Sequence, residues 1–323
     1  MTTWGIVATI KASTEDTLNF VAHHLSLGAD EVHIYLDEPD PEAEAILKAT
    51  PRVKVINCDA AYWRRRRPYE EHQRPPMHQG RQFANAKWAY KRCKVDWLAH
   101  IDVDEFLWPA RPVAEQLAEL PAESLCARLR PIEALAPDPT SPSDVTLFKS
   151  CAEGWELRLT ETSAIYPTYG EVLNGGFLSH VAGKLFVRTG LENIRFKIHN
   201  LETEQGLNPG ERPLPDTDLL HLHADSWEHW IAAYRYRKDK GSYRSELAPP
   251  TQPPGVKQRD PLAPNLHQLF AMLEQDQGEA GLRHFFTEVC TATPDLTARL
   301  DQFGYLRRVP LDLAATRHRV FGR

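Results

Sequence analysis

Short apolar runs alternate with amphipathic stretches through the first hundred residues, and the last run ends on a pair of aspartates. Residues 6–10 read Ile-Val-Ala-Thr-Ile, suited to a strand buried on both faces. Ser13 or Thr14 can cap the helix that follows, in which Leu18, Val21, Ala22 and Leu25 recur at helical spacing before Gly28. A second strand over 32–36 ends at Asp37, and Pro41 sits where a first-turn proline belongs, ahead of a helix over 42–49. A strand over 53–57, a polar and basic loop over 59–80, a helix over 81–92 and a strand over 97–101 complete the series. That order predicts an α/β fold: a Rossmann-like, mostly parallel sheet with helices on both faces. Ligands of such sheets bind beyond the carboxyl ends of the strands, where Asp37 and the pair Asp102 and Asp104 fall.

Further along, residues 124–131 and 184–188 have strand character, Leu173, Asn174, Gly175 and Gly176 make a flexible stretch, and 226–238 reads as a helix capped by Ser226. Residues 248–264 hold six prolines, as a linker or extended wrap would. Helices are expected over 265–275, 278–291 and 295–303. The division expected is 1–110 and 111–247 as the halves of one domain, 248–264 as linker, and 265–323 as a C-terminal helical extension.

The 323 residues suffice for a large core, and 42% hydrophobic with 25% charged residues is ordinary for a soluble chain. A net charge of −6 gives no electrostatic footing for nucleic acid. Eight tryptophans suit sugar binding or core packing. Five widely spaced cysteines without Cys-x-x-Cys argue against a disulfide framework and a thiolate zinc site. With no signal-peptide pattern and no apolar run near the roughly 18–20 residues of a membrane span, a cytoplasmic location is expected.

Asp102-Val103-Asp104 carries the sharpest chemistry. In extended backbone residues i and i+2 point to one side, so the two carboxylates would converge. Paired hard oxygens suit Mg²⁺ or Mn²⁺, which could bridge a diphosphate and neutralise charge as it leaves. The competing reading is a plain acidic turn. A calcium loop is excluded by Phe106, Leu107 and Trp108, where further ligands and a glycine are required. A phosphotransferase or phosphatase with Asp102 as nucleophile, and a non-catalytic nucleotide- or sugar-binding module, stay open as alternatives.

Residues 6–11 (Ile-Val-Ala-Thr-Ile-Lys), 20–24 (Phe-Val-Ala-His-His), 27–30 (Leu-Gly-Ala-Asp), 34–37 (Ile-Tyr-Leu-Asp) and 97–107 (Trp-Leu-Ala-His-Ile-Asp-Val-Asp-Glu-Phe-Leu) resemble bacterial family-2-like glycosyltransferases of the Asp-x-Asp-Glu-Phe branch, related to the DUF23 group. The resemblance covers most of 4–110 and returns in patches between 176 and 245. It implies a GT-A fold, a nucleotide-sugar donor (a UDP-sugar above all), Mn²⁺ or Mg²⁺, inverting transfer to a saccharide or glycolipid acceptor, and a part in polysaccharide or glycoconjugate synthesis; peripheral membrane contact stays open. It places Thr9 and Lys11 at the nucleotide base, Asp37 on base or ribose, Asp102 at the ribose or a metal-bound water, and Asp104 on the metal. One departure stands out: the family's Lys-Asn-Glu is here Lys11-Ala12-Ser13.

His221 and His223 alternate just before a helix, and one of them could supply the further metal ligand that the family takes from a C-terminal histidine; otherwise they are packing histidines. Lys184 and Arg188, four apart on a strand, share a face and could hold the diphosphate, or form a solvated edge. Gln82 and Asn85 would approach the same cleft, while His180 and His199 have no firm place. The run Arg64 to Arg67, flanked by Tyr62, Trp63 and Tyr69, reads as a solvated face, with a closing lid as the sharper option. Arg235, Arg237, Lys238, Lys240 and Arg244 form a second basic stretch. For the general base Glu171 leads, with Glu161 and Asp225 as rivals.

Overall fold

The structure, a computed structural model, describes residues 1–67, 73–179, 181–240 and 266–322. In chain order these form β1 (Trp4–Ile10), α1 (Thr14–Ser26), β2 (Glu31–Leu36), α2 (Pro41–Lys48), β3 (Val53–Asn57), α3 (Ala60–Arg66), α4 (His78–Tyr90), β4 (Trp97–His100), β5 (Glu105–Pro109) and α5 (Val113–Ala118). There follow β6 (Cys126–Ala134), β7 (Thr146–Lys149), α6 (Trp155–Ile165), β8 (Lys184–Arg188), β9 (Arg195–Phe196), β10 (Leu201–Thr203), β11 (Gly206–Leu207) and β12 (Arg212–His221). The chain closes with α7 (Trp227–Lys240), α8 (Leu266–Gln277), α9 (Glu279–Cys290), α10 (Pro294–Gln302), β13 (Leu306–Val309) and α11 (Leu313–Phe321). Tyr69, His180, Arg244 and the proline-rich stretch 248–264 lie outside the described residues. Among those described, no helix is long and apolar enough to cross a membrane.

The chain divides into two compact units. The first comprises Met1–Pro131, Ala182–His221 and Asp312–Arg323; the second comprises Ile132–Val181 and Leu222–Leu311. In the first, β3, β2, β1 and β4 lie side by side and parallel, as the alternation predicts. β8 then runs antiparallel against β4. Every residue of β1 and β4 is buried, which explains their unbroken apolar runs. Ser13 caps α1 by accepting the Asp16 N–H (3.1 Å), and Pro41 opens α2. Val7, Tyr35 and Leu98 from the sheet pack with Ala86, Ala89 and Tyr90 of α4 in one apolar cluster. Burying a side chain of the size of Val7 or Leu98 contributes about 1.5–3 kcal/mol.

The expected loop over 59–80 is a correction. Its first part is helical, because Asp59 caps α3 by accepting the Tyr62 N–H (2.6 Å) and because Tyr62 and Trp63 are buried. α4 also starts earlier than expected, at His78.

The second unit holds the end of β6, paired with β7, and β13 beyond it. Its core centres on Trp230, with Tyr234 and Phe285 stacked on it and Phe270 edge-on at 5.3 Å. Five of the eight tryptophans (Trp4, Trp63, Trp97, Trp227 and Trp230) are buried, so their abundance is mainly a matter of packing. The glycine loop expected to be flexible is instead pinned. Buried Lys149 donates to the Gly176 and Val289 carbonyls (2.6 and 2.8 Å), and buried Glu133 accepts the Leu178 and Ser179 N–H groups (3.0 and 2.9 Å). The tail contains the three expected helices and adds β13 and α11.

Candidate functional site

The carboxyl ends of the parallel strands in the first unit carry Lys11, Asp37 and, two residues beyond β4, Asp102. β4 stops at His100, and Asp102 and Asp104 sit on a turn rather than on extended backbone. The Glu105 N–H donates to the Asp102 carbonyl (3.1 Å), while the Asp102 N–H donates to Glu105 Oε2 (2.8 Å). The period-two argument for a shared face therefore does not apply. The two carboxylates take different partners because the turn rotates one against the other.

Asp102 accepts hydrogen bonds from Gln82 on one oxygen and from Lys184 on the other. Lys184 is fully buried and also lies 3.1 Å from Glu105, itself fully buried. Burial pushes the Asp102 carboxyl up, but the Lys184 charge and hydrogen bond outweigh it and hold it at about 2. Burial pushes Glu105 above the usual carboxylate range; Lys184 pulls it back, and the Asp102 charge adds to the rise. Burial disfavours the Lys184 ammonium, yet Asp102 and Glu105 together hold it above its ordinary value. Glu105 Oε1 is buried with no hydrogen-bond partner among the described residues. Neither Glu105 nor the buried Lys184–Asp102 pairing is readable from spacing; the only signal is that a carboxylate directly follows the Asp-x-Asp.

Asp104 takes other partners. β5 pairs antiparallel with β12 so that His221 stands opposite Glu105, one residue from Asp104. His221 Nε2 lies 3.3 Å from Asp104 Oδ2. Asp104, His221 and His223 each bring one ligand atom, all within 4.8 Å of one another. Both histidines of the sequence motif thus join the group, and Asp102 does not belong to it. Arg237 donates to His223 Nε2 (3.2 Å), so a cation bound there would displace that guanidinium or use Nδ1. One carboxylate and two imidazoles suit a first-row transition-metal cation, Mn²⁺ included, better than Mg²⁺, which favours an all-oxygen shell. Asp104 keeps 34% of its side chain exposed, so further coordination positions would open to solvent.

The remaining expected residues divide. Thr9 is buried and accepts from Asn85 (3.0 Å), which in turn accepts from Tyr62 (2.6 Å). Lys11 is exposed, pairs with Glu38 (2.7 Å), and borders an open cleft with Ser13, Thr14 and Asp40. Asp37 has a fully buried carboxylate that accepts from Arg81 Nε (2.9 Å to both oxygens) and from Arg74 (3.2 Å). Burial raises that carboxyl, but His78, Arg81 and Arg74 overcome it and hold it well below the usual range. Arg81 also donates to the Pro75 and Pro76 carbonyls (3.0 and 2.9 Å), so Asp37 anchors the segment ahead of α4. Lys184 reaches Asp102, but Arg188 sits opposite Trp97 at the far end of β4. Its guanidinium lies over that indole (4.3 Å) and donates to the Ser124 carbonyl (3.0 Å). The strand parts the two cations lengthwise, although they share a face.

His199 donates from Nδ1 to the Gly183 carbonyl (2.9 Å) in the first unit. In the second unit, Glu171 is exposed on a 3-10 turn (Gly170–Val172), Glu161 accepts from Tyr305, and Asp225 pairs with His229 (2.9 Å).

No protein-family model matches this chain, and no curated protein does. Solved structures resemble parts of it. The glycosyltransferase GlyE of Streptococcus pneumoniae TIGR4 is 14% identical over 40% of this chain and 30% of its own, with a TM-score of 0.26. HddC of Yersinia pseudotuberculosis is 11% identical over 45% of this chain and 67% of its own, at 0.27. GalNAc-T7, solved with UDP, GalNAc and Mn²⁺, is 11% identical over 75% of this chain and 49% of its own, at 0.34. The match thus spans under a third of GlyE and about half of GalNAc-T7, and likenesses at these scores fix neither substrate nor chemistry.

Proposed function

We propose that the chain is a metal-dependent glycosyltransferase of the GT-A type, moving a sugar from a nucleoside-diphosphate sugar, a UDP-sugar above all, to a hydroxyl acceptor with inversion. The observation that carries this reading is the meeting of Asp104, His221 and His223 beside Asp102, past the carboxyl end of a parallel strand. Asp104, His221 and His223 would hold the cation, Mn²⁺ rather than Mg²⁺. When bound, it would offset the negative charge of a departing nucleoside diphosphate. Lys184 and Gln82 fix the Asp102 carboxylate in one orientation, ionised, so that it can accept hydrogen bonds from a donor hydroxyl without rearranging. Lys11, on the rim of the open cleft, supplies a cation that can exchange Glu38 for a phosphate. Glu171 remains our choice of base for the acceptor hydroxyl.

The test is a thermal-shift panel of nucleoside diphosphates with and without Mn²⁺, since a ligand of the folded state raises the melting temperature. UDP and Mn²⁺ together are expected to stabilise more than either alone, and Asp104→Ala to lose that joint effect along with at least about 100-fold in turnover. Full activity in Asp104→Ala would refute the site.

A further inference from the structure

The exposed cations of α3 and α4 gather on one face that plays no part in the site above. Residues 60–95 contain ten Lys and Arg against two Glu, in a chain whose net charge is −6. Neither α3 nor α4 contains an acidic residue. The buried stripe of α4 is Arg81, Gln82, Asn85, Ala86, Ala89 and Tyr90. Its opposite side near the C-terminal end presents Lys87, Trp88, Lys91 and Arg92, the three cations exposed. α3 adjoins it through Arg66, whose guanidinium lies over the Trp88 ring (4.4 Å) and over Tyr62 (5.2 Å). Arg92 lies over the same indole at 4.8 Å. Arg64 and Arg65 stand exposed beside Arg66.

We infer that this face binds the anionic headgroup layer of a phospholipid bilayer. Cations on the outer sides of two helices match a plane of phosphates, and each adds a similar electrostatic increment. A saccharide chain or a single-stranded nucleic acid would use an open aromatic face for stacking. Trp88 offers none, since two guanidiniums already lie over its ring. Trp88 is instead a half-buried aromatic flanked by Arg and Lys, the composition that settles at a membrane–water interface. The inference does not depend on the glycosyltransferase reading.

The test is sedimentation of the full chain with vesicles of pure phosphatidylcholine and with vesicles carrying about a third phosphatidylglycerol, at low and high salt. Binding is expected only to the anionic vesicles, and is expected to weaken steeply between about 0.05 and 0.5 M salt as screening shortens. Arg64→Gln, Arg65→Gln, Lys87→Gln and Lys91→Gln combined should lower the vesicle partition coefficient at least about 30-fold at low salt, with circular dichroism, melting temperature and the response to UDP and Mn²⁺ unchanged. Equal partition of wild type and variant, equal binding to neutral vesicles, or retention on a soluble polyanion such as heparin without vesicle binding would each overturn the proposal.

Discussion

Replacing Lys184 by methionine isolates the electrostatics of the Asp102 loop. The ammonium is fully buried, 3.1 Å from Glu105 and in direct contact with Asp102. Methionine keeps most of the stem volume but leaves the fully buried Glu105 without its countercharge. Removing one partner of a buried ion pair costs about 3–5 kcal/mol, a large share of the ~5–15 kcal/mol that holds a folded chain together. At roughly 2–4 °C per kcal/mol for a chain of this size, the melting temperature should fall by about 6–20 °C. The double variant Lys184→Met, Glu105→Gln removes the stranded charge and should recover more than half of the loss. Asp102, no longer held at about 2, should titrate closer to or above the ordinary carboxylate range. Scanning calorimetry of wild type, single and double variants at neutral pH reads the stabilities, and repeating it from about pH 3 to 7 reads the Asp102 shift. An unchanged melting temperature in Lys184→Met, or a double variant no better than the single, would refute the reasoning.

Two further outcomes follow from the packing. His23 and His24 are buried and bracket Leu107, His23 donating to its carbonyl (2.7 Å) and His24 accepting its N–H (3.4 Å). Burial lowers both pKa values, so both rings are neutral in the fold and take up protons near 6.5 only when the chain unfolds. Their contribution is therefore complete above that pH and is lost as pH falls below it, by at most about 2 kcal/mol for each ring at pH 5; a thermal melt series should show it, and His23→Gln, His24→Gln should flatten the slope. Gly176→Ala should cost at least about 2 kcal/mol in denaturant melts, because φ is +79° and a Cβ would sit 2.2 Å from the Tyr166 ring, which a tolerated substitution would contradict.

Much of the fold was legible because its strands announce themselves by burial. The expected 53–57 and 184–188 strands coincide with β3 and β8, and Ser13, Pro41 and Ser226 stand at the helix starts assigned to them. β5, β12 and β13 escaped notice because their burial is decided by antiparallel partners distant in sequence. In the site, Asp104, His221 and His223 meet as the residue types suggested. Asp102 was assigned to the same metal by strand periodicity, which fails where the strand has already ended. Asp37 was placed on the base or ribose, since nothing in its neighbourhood of sequence discloses that Arg81 will fold back onto it.

The chain's last helix lies against its first. Arg317 donates to Glu15 and Asn19 (both 2.7 Å), so α1 is packed by a segment from the far end of the polypeptide. At translation rates of ~5–20 residues per second, α1 would leave the ribosome about 15–60 s before α11 exists to cover it. Through that interval α1 must wait with one flank bare to water, its burial finished only when the final turns of the chain emerge.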